Sequence, residues 1–215
     1  MTVPILIVPG LGGSGEQHWQ THLERSFPNA VRVHQDDWDR PHLTGWVDRL
    51  AQAVSARPAA MLVAHSLGCP LVAHFAAQRP DALIAAALLV APADVESARH
   101  TPDYTRGFAP IPLLTLPFRS IVVASTNDPF IKFDRARDLA NAWGAEFIDV
   151  GPCGHINIAS GFGPWPAGER IVASTMAWIR ASERFSRNSL KAAAITSTRR
   201  YTAAFKRLSV VMDAF

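Results

Sequence analysis

Short apolar runs alternate along the chain with longer stretches in which apolar residues recur at helical spacing. The short runs are rich in Val, Ile, Leu and Ala and end at turn residues, which predicts buried strands. Six strands are predicted, at residues 3–8, 30–34, 59–65, 84–91, 120–125 and 146–150. Five helices are predicted, at residues 16–25, 44–55, 67–78, 132–143 and 167–182.

The order of these elements predicts the fold class. Continuously apolar strands separated by helices are typical of a parallel sheet that is covered on both faces. The expected fold is therefore α/β, a three-layer α/β/α sandwich with about six mostly parallel strands.

Length and composition narrow the class of protein. A chain of 215 residues can bury one substantial core. We expect a single domain over residues 1–185 and a basic C-terminal extension over 186–215. Two cysteines are too few for a disulfide framework, which predicts a cytoplasmic location. The longest apolar stretch, at 82–93, is too short for a membrane span.

The net charge of +3 is unevenly distributed. Residues 186–215 hold six basic residues and one acidic residue, a charge of +5, so residues 1–185 carry −2. The main domain is therefore not expected to bind nucleic acid. In the extension, apolar residues recur at helical spacing from Tyr201 to Phe215, which suits a basic amphipathic helix that contacts a membrane surface or a partner. The alternative is a loosely attached extension.

Ser66 ends an apolar run in the sequence MLVAHSLGCP and is followed by a predicted helix. Small residues stand two positions before and after it, Ala64 and Gly68, as in the G-x-S-x-G nucleophile elbow with Ala in the first position. Such a turn would present the Ser66 hydroxyl at the carboxyl edge of the sheet, with the Leu67 amide facing a developing oxyanion. The alternative is an N-cap serine.

Two further residues follow strands in the manner of Ser66. Asp128 comes just after the fifth predicted strand and His155 just after the sixth. The chain order Ser, Asp, His at one sheet edge is typical of the α/β-hydrolase fold. We therefore predict Ser66, Asp128 and His155 as a catalytic triad. Asp94, which follows the fourth strand, is the second candidate for the acid.

The loop GLGGSG after the first strand has two interpretations. It matches the G-x-G-x-x-G pattern of dinucleotide-binding proteins, with Asp36 and Asp37 after the second strand as candidate ribose ligands. That interpretation leaves the three candidate triad residues unused. In a hydrolase the same loop would supply the second oxyanion-hole amide, that of Leu11.

The substrate pocket is predicted from the bulky segments near these residues. The long segment 92–119 is interpreted either as a small cap or as an excursion that packs on the core. We expect a pocket lined by Gly10, Phe108, Leu114, Phe162 and Trp165. His65 is expected to point to the opposite side of the turn from Ser66. His18 and His22 lie four residues apart, but no third ligand suggests a metal site.

Four segments together resemble one known family. VPGLGGSGEQHWQTHLE, VAHSLGC, STNDPF and GHINIASGFGPWPAG make residues 3–182 similar to the small serine hydrolases of the retinoblastoma-binding-protein-nine type. The resemblance implies an α/β-hydrolase fold without its first two strands, the triad Ser66, Asp128 and His155, and no cofactor. Residues after about 184 have no counterpart in it.

The sequence therefore predicts a serine hydrolase that cleaves small carboxylic esters, thioesters or activated amides. Its expected partner is a small-molecule ester or amide substrate. A catalytically weak interaction protein on the same fold and a dinucleotide-binding protein are the alternatives.

Overall fold

The computed structural model describes residues 3–185. The six strands are β1 Ile5–Val8, β2 Ala30–Arg32, β3 Ala60–His65, β4 Ile84–Val90, β5 Arg119–Ala124 and β6 Glu146–Asp149. The helices between them are α1 Trp19–Ser26, α2 Leu43–Ala56, α3 Gly68–Gln78 and α4 Phe133–Ala142, and residues 166–185 are also helical. Short 3-10 helices lie at Leu11–Gly13, Asp103–Phe108 and Ile158–Ser160.

The strands form a single six-stranded sheet in the order β2-β1-β3-β4-β5-β6. All five neighbouring pairs are parallel, so the carboxyl ends of all six strands lie at the same edge. The predicted fold class is confirmed.

The alternation of side chains along each strand produces two buried faces. Leu6 and Val8 of β1 belong to one apolar cluster with buried residues of α2, α3 and α4. Ile5 and Ile7 are also fully buried but lie on the opposite face. On that second face, α1 reaches the sheet through Gln20, whose Nε2 donates to the Val63 carbonyl at 3.0 Å. The result is three layers.

The first helix begins three residues later than predicted. His18 is its N-cap, and the ring Nδ1 accepts a hydrogen bond from the backbone N–H of Gln20 at 3.2 Å. Histidine is not among the common N-cap residues, so the sequence pattern does not mark this start.

The described residues fall into two compact units. One ends at Thr175, and the other begins at Met176. In the second unit, residues 176–185 are helical. The predicted boundary between 185 and 186 stays a prediction, and the amphipathic helix predicted from Tyr201 to Phe215 lies outside the described residues. Between residues 3 and 185, no helix has the length and apolarity needed to cross a bilayer.

Candidate active site

Ser66 occupies a strained turn between β3 and α3. Its φ is +54°, in the left-handed region that residues with a side chain rarely adopt. The turn is held by a hydrogen bond from the Ser66 N–H to the Val90 carbonyl at 3.0 Å. This geometry is that of a nucleophile elbow, in which strain lifts the hydroxyl out of the sheet.

Two glycines allow the chain to pack closely around this turn. A Cβ on Gly68 would collide with the carbonyl oxygen of Val8, at the end of the adjacent strand. A Cβ on Gly10 would lie 2.9 Å from the Ser66 Cβ. Ala64, where many hydrolases have the first elbow glycine, is completely buried, so the fold accommodates its methyl group.

The structure brings Ser66, His155 and Asp128 into one hydrogen-bonded series. The Ser66 Oγ lies 2.8 Å from the His155 Nε2. The His155 Nδ1 lies 2.8 Å and 2.9 Å from the two carboxylate oxygens of Asp128. The side chains of His155 and Asp128 are almost completely buried. A carboxylate on Nδ1 leaves Nε2 free to accept the serine proton, which is the tautomer that nucleophilic catalysis requires.

The loop that carries His155 is fixed by hydrogen bonds on both sides. The His155 N–H donates to the Ser160 Oγ at 3.0 Å, and the Gly154 N–H donates to the Asn127 Oδ1 at 2.7 Å. The indole N–H of Trp19 donates to the Ile156 carbonyl at 2.8 Å. The imidazole is therefore held in position before any substrate binds.

Asp94, the second candidate for the acid, makes different contacts. Its Oδ1 accepts a hydrogen bond from the Glu96 N–H at 3.3 Å, and its backbone N–H donates to the Phe130 carbonyl. Among the carboxylates of residues 3–185, it is Asp128 that bonds the His155 ring.

Two backbone amides are available near the Ser66 hydroxyl. Leu67 is the N-cap of α3, and Leu11 begins the first 3-10 helix. Both residues line the cavity that contains Ser66 and His155. Neither N–H donates a hydrogen bond to a described residue. This pair matches the arrangement of an oxyanion hole, which stabilises negative charge with fixed N–H dipoles.

The cavity above Ser66 has a volume of about 210 Å³. Its wall combines residues from four loops with the elbow itself: Leu11, Ser14, His18, His65, Ser66, Leu67, Ala93, Thr101, Pro102, Thr105, Phe130, His155 and Asn157.

None of the five residues predicted to bind substrate is part of this wall. Phe108 is completely buried against Trp46, in the apolar core. Leu114 lines a separate depression beside α3, and Gly10 packs against the backbone of the elbow. Trp165 packs edge-on against the Trp19 indole, which bonds the Ile156 carbonyl, and Phe162 packs edge-on against Trp165. The role of these five residues in substrate binding stays a prediction.

The long segment 92–119 was interpreted either as a small cap or as an excursion that packs on the core, and its two halves correspond to these two interpretations. Its first half supplies Thr101, Pro102 and Thr105 to the cavity wall. The Arg106 guanidinium fixes this half, because it donates to the Val95 carbonyl at 2.7 Å and to the Thr101 carbonyl at 2.8 Å. The second half, which includes Phe108, packs into the core.

His65 was expected to point away from Ser66, and this expectation is wrong. The period of two along β3 places His65 on the face of Val63, and the His65 Nε2–H donates to the His155 carbonyl at 2.9 Å. The His65 ring lies 4.8 Å from both the His155 ring and the His18 ring, centroid to centroid. The sequence analysis also did not predict that His18 lies at this site. The position of His65 could have been predicted from the alternation of side chains along β3.

Burial keeps the two additional histidines neutral. Loss of hydration, together with smaller effects of the nearby charges of Arg32 and His155, lowers the pKa of His18 to about 4. Burial also lowers the pKa of His65 well below its usual value. Neutral rings at these positions avoid repulsion when the adjacent His155 accepts a proton.

We expect the free energy of unfolding to fall as the pH decreases below 6.5. In the unfolded chain His18 takes up a proton below its ordinary pKa of 6.5, whereas the folded protein keeps the ring neutral down to about pH 4. The unfolded state therefore binds more protons in this window, so stability rises with pH across it. His18 alone accounts for a loss of about 2 kcal/mol by about pH 5.

Urea denaturation at about pH 7 and pH 5 measures this loss. The His18→Asn protein should lose less stability between the two pH values, because it lacks the His18 ring. The contribution of His65 is the same in both proteins and cancels in the comparison. Equal losses in the two proteins would contradict the assignment to His18.

The glycine-rich loop is not arranged for a dinucleotide. A Cβ on Gly13 would lie 2.8 Å from the Trp38 indole, so this ring fills the space beside the loop. Of the two candidate ribose ligands, Asp36 pairs with Arg49, and the Oδ1 of Asp37 accepts hydrogen bonds from the N–H groups of residues 39 and 40. The loop serves the elbow instead.

A family model described as serine hydrolase matches residues 5–174. The chain belongs to the serine hydrolase family. The match covers β1 to β6 and includes all three residues of the hydrogen-bonded series.

Two proteins are similar to this serine hydrolase in sequence, and a third shares its fold. A YdeN-like protein from Pectobacterium atrosepticum is 35% identical, covers 82% of this chain and 92% of its own, and has a TM-score of 0.73. The YdeN protein of Bacillus subtilis is 26% identical over 175 residues, which is 77% of this chain and 92% of that protein. An esterase domain from Rhodothermus marinus, at 16% identity, covers 82% of this chain and 88% of its own with a TM-score of 0.62, and shares the fold.

Proposed function

We propose that this serine hydrolase cleaves small carboxylic esters, thioesters or activated amides through an acyl-enzyme intermediate. One observation carries the proposal: the Ser66 hydroxyl on a strained elbow lies 2.8 Å from an imidazole whose other nitrogen is bonded to a buried carboxylate. These contacts support Ser66 as nucleophile, His155 as general base and then acid, and Asp128 as the group that orients His155.

The first half of the reaction forms the acyl-enzyme. The Ser66 Oγ attacks the carbonyl carbon while the His155 Nε2 takes its proton. The carbonyl oxygen becomes an oxyanion that accepts hydrogen bonds from the Leu11 and Leu67 amides. His155 then donates its proton to the departing alcohol, thiol or amine, and the carbon–heteroatom bond breaks.

The second half releases the acid. A water molecule attacks the acyl carbon as His155 removes one of its protons, and the Ser66 oxygen leaves as His155 returns that proton to it. The enzyme regains its starting protonation, and the sum of the two halves is hydrolysis. The small cavity favours a short acyl group, because that group stays attached to Ser66 while the leaving group departs.

Two finer assignments belong to the same proposal. The resemblance to the retinoblastoma-binding-protein-nine type remains a basis for choosing assays. We also propose a cytoplasmic location, which the free thiols of Cys69 and Cys153 support.

A fluorophosphonate probe tests the proposal directly, because it reacts with a serine only when a base activates the hydroxyl. We expect stoichiometric labelling of the full-length protein on Ser66, located by peptide mass spectrometry. Labelling should be lost in His155→Gln, which removes the base, and retained in His22→Asn. Absence of labelling in the unaltered protein at neutral pH would overturn the proposal.

A further inference from the structure

His18 presents a hydrogen-bond donor to the cavity that no described residue uses. The ring is 5% exposed and lines the same cavity as Ser66. Its Nδ1 accepts the Gln20 N–H as the helix cap, and a neutral imidazole carries only one ring hydrogen, which must therefore be on Nε2. Nε2 has no hydrogen-bond partner among residues 3–185, and the atom itself is not completely buried. The donor is thus fixed in tautomer and open to the cavity.

Asn157 offers a second donor in the same cavity. Its Oδ1 accepts hydrogen bonds from the Ser160 N–H at 3.1 Å and from the Ser160 hydroxyl at 3.0 Å. These two bonds fix which end of the amide is the oxygen and turn the Nδ2 group away from Ser160. Within the part of the chain that the structure describes, no acceptor is bonded to that Nδ2.

The other polar side chains on the wall already donate to protein atoms. The hydroxyls of Ser14, Thr101 and Thr105 donate to the Gln20 Oε1, the Asp94 carbonyl and the Pro102 carbonyl. The described wall contains no lysine, arginine, aspartate or glutamate. An anionic substrate group would therefore lose its hydration without gaining a counter-charge, whereas a neutral oxygen would satisfy the free donors.

We propose that the cavity selects acyl groups that carry a neutral acceptor oxygen, such as an ether, hydroxyl or ketone, which His18 Nε2 binds with Asn157 Nδ2 as the second donor. The inference rests on the proposed function, because the acyl group enters the cavity when it is attached to Ser66. An all-carbon chain of the same shape would cover both donors and leave them unpaired, and sites built around such donors discriminate strongly against substrates that lack the acceptor.

Two esters of equal shape test the selection. In p-nitrophenyl 3-methoxypropanoate, an ether oxygen replaces one methylene of p-nitrophenyl pentanoate. The value of kcat/KM for each ester is divided by the rate constant for hydroxide hydrolysis of the same ester, which corrects for intrinsic reactivity. The ratio of the two corrected values, ether ester over pentanoate, then measures recognition by the enzyme. We expect a ratio of about 10 or more in favour of the ether ester.

Variants locate the donors. The asparagine of His18→Asn can still accept the Gln20 N–H at the helix cap. Its side chain is too short to place an N–H at the position of the His18 Nε2, so the ratio should fall to near 1. His18→Gln places an amide N–H close to the original Nε2 and should keep a ratio above that of His18→Asn. Asn157→Asp retains the acceptor for Ser160 and removes the donor, so it should also lower the ratio. His22→Asn, on the same helix but outside the cavity wall, should leave the ratio unchanged.

The outcomes separate the two proposals. A ratio near 1 in the unaltered enzyme, or an undiminished ratio in both His18→Asn and Asn157→Asp, overturns the donor inference while hydrolysis itself supports the proposed function. Failure to hydrolyse either ester, together with absence of fluorophosphonate labelling, overturns both.

Discussion

Ser66→Ala is expected to lower kcat for ester hydrolysis by a factor on the order of 10⁶. The substitution removes the oxygen that lies 2.8 Å from the His155 Nε2, and no other described hydroxyl is bonded to that nitrogen. The Leu11 and Leu67 amides would remain, so the residual rate should still exceed that of the uncatalysed reaction.

The measurement is the steady-state rate on a short-chain p-nitrophenyl ester, with thermal unfolding as a check on the fold. Ser120→Ala is the matched control, because the Ser120 hydroxyl donates to the Phe118 carbonyl at 3.1 Å and Ser120 is not part of the cavity wall. A fall of less than tenfold in Ser66→Ala would refute the assignment of the nucleophile.

Asp128→Asn should lower kcat by about 10⁴ with little change in structure. The side-chain oxygen of asparagine can still accept the Phe130 N–H, which Asp128 Oδ1 now accepts at 2.8 Å. Its amide group would donate to the His155 Nδ1 and thereby place the ring hydrogen on Nε2. In that tautomer Nε2 cannot accept the Ser66 proton, so the loss arises from the wrong protonation site rather than from misplacement.

Asp94→Asn is the control for this prediction, because Asp94 is the other carboxylate that the sequence offers as the acid. Its Oδ1 contact with the Glu96 N–H can persist in asparagine, so we expect kcat to change by less than tenfold. A larger loss in Asp94→Asn than in Asp128→Asn would reverse the assignment. The same assay conditions and the same ester apply to both variants.

The chain order and the strand positions were sufficient to predict the sheet and the three residues that meet at its edge. Apolar runs such as 84–91 can be buried in only a few ways, and in a parallel sheet their carboxyl ends lie together. Ser66 directly follows β3, and Asp128 and His155 lie in the loops that follow β5 and β6, so all three are expected at this edge of the sheet. Prediction succeeds here because the strand order limits which loops can meet at that edge.

The cavity wall could not be predicted in the same way. Phe108 and Thr105 lie three residues apart, yet Phe108 is buried in the core and Thr105 lines the Ser66 cavity. Their positions depend on irregular contacts, such as the hydrogen bond from Arg106 to the Thr101 carbonyl. Such contacts follow no repeating pattern along the sequence. His18 was missed for a related reason, since its role depends on capping a helix whose start its residue type does not signal.

In residues 92–119 the first half lines the Ser66 cavity and the second half packs into the core. This separation has a consequence for how new specificities can evolve in this enzyme. The part that lines the Ser66 cavity lies between Asp94 and Phe108, and none of its side chains bonds to Ser66, Asp128 or His155. Residues 97–105 can therefore be exchanged with the equivalent stretch of a relative, provided that three anchoring residues are retained. Val95 is buried in the apolar core, Glu96 pairs with Arg135 of α4, and Arg106 bonds the Val95 and Thr101 carbonyls. Such grafts would change which acyl groups are accepted while the reacting atoms keep their places, so new specificities can arise without rebuilding the chemistry.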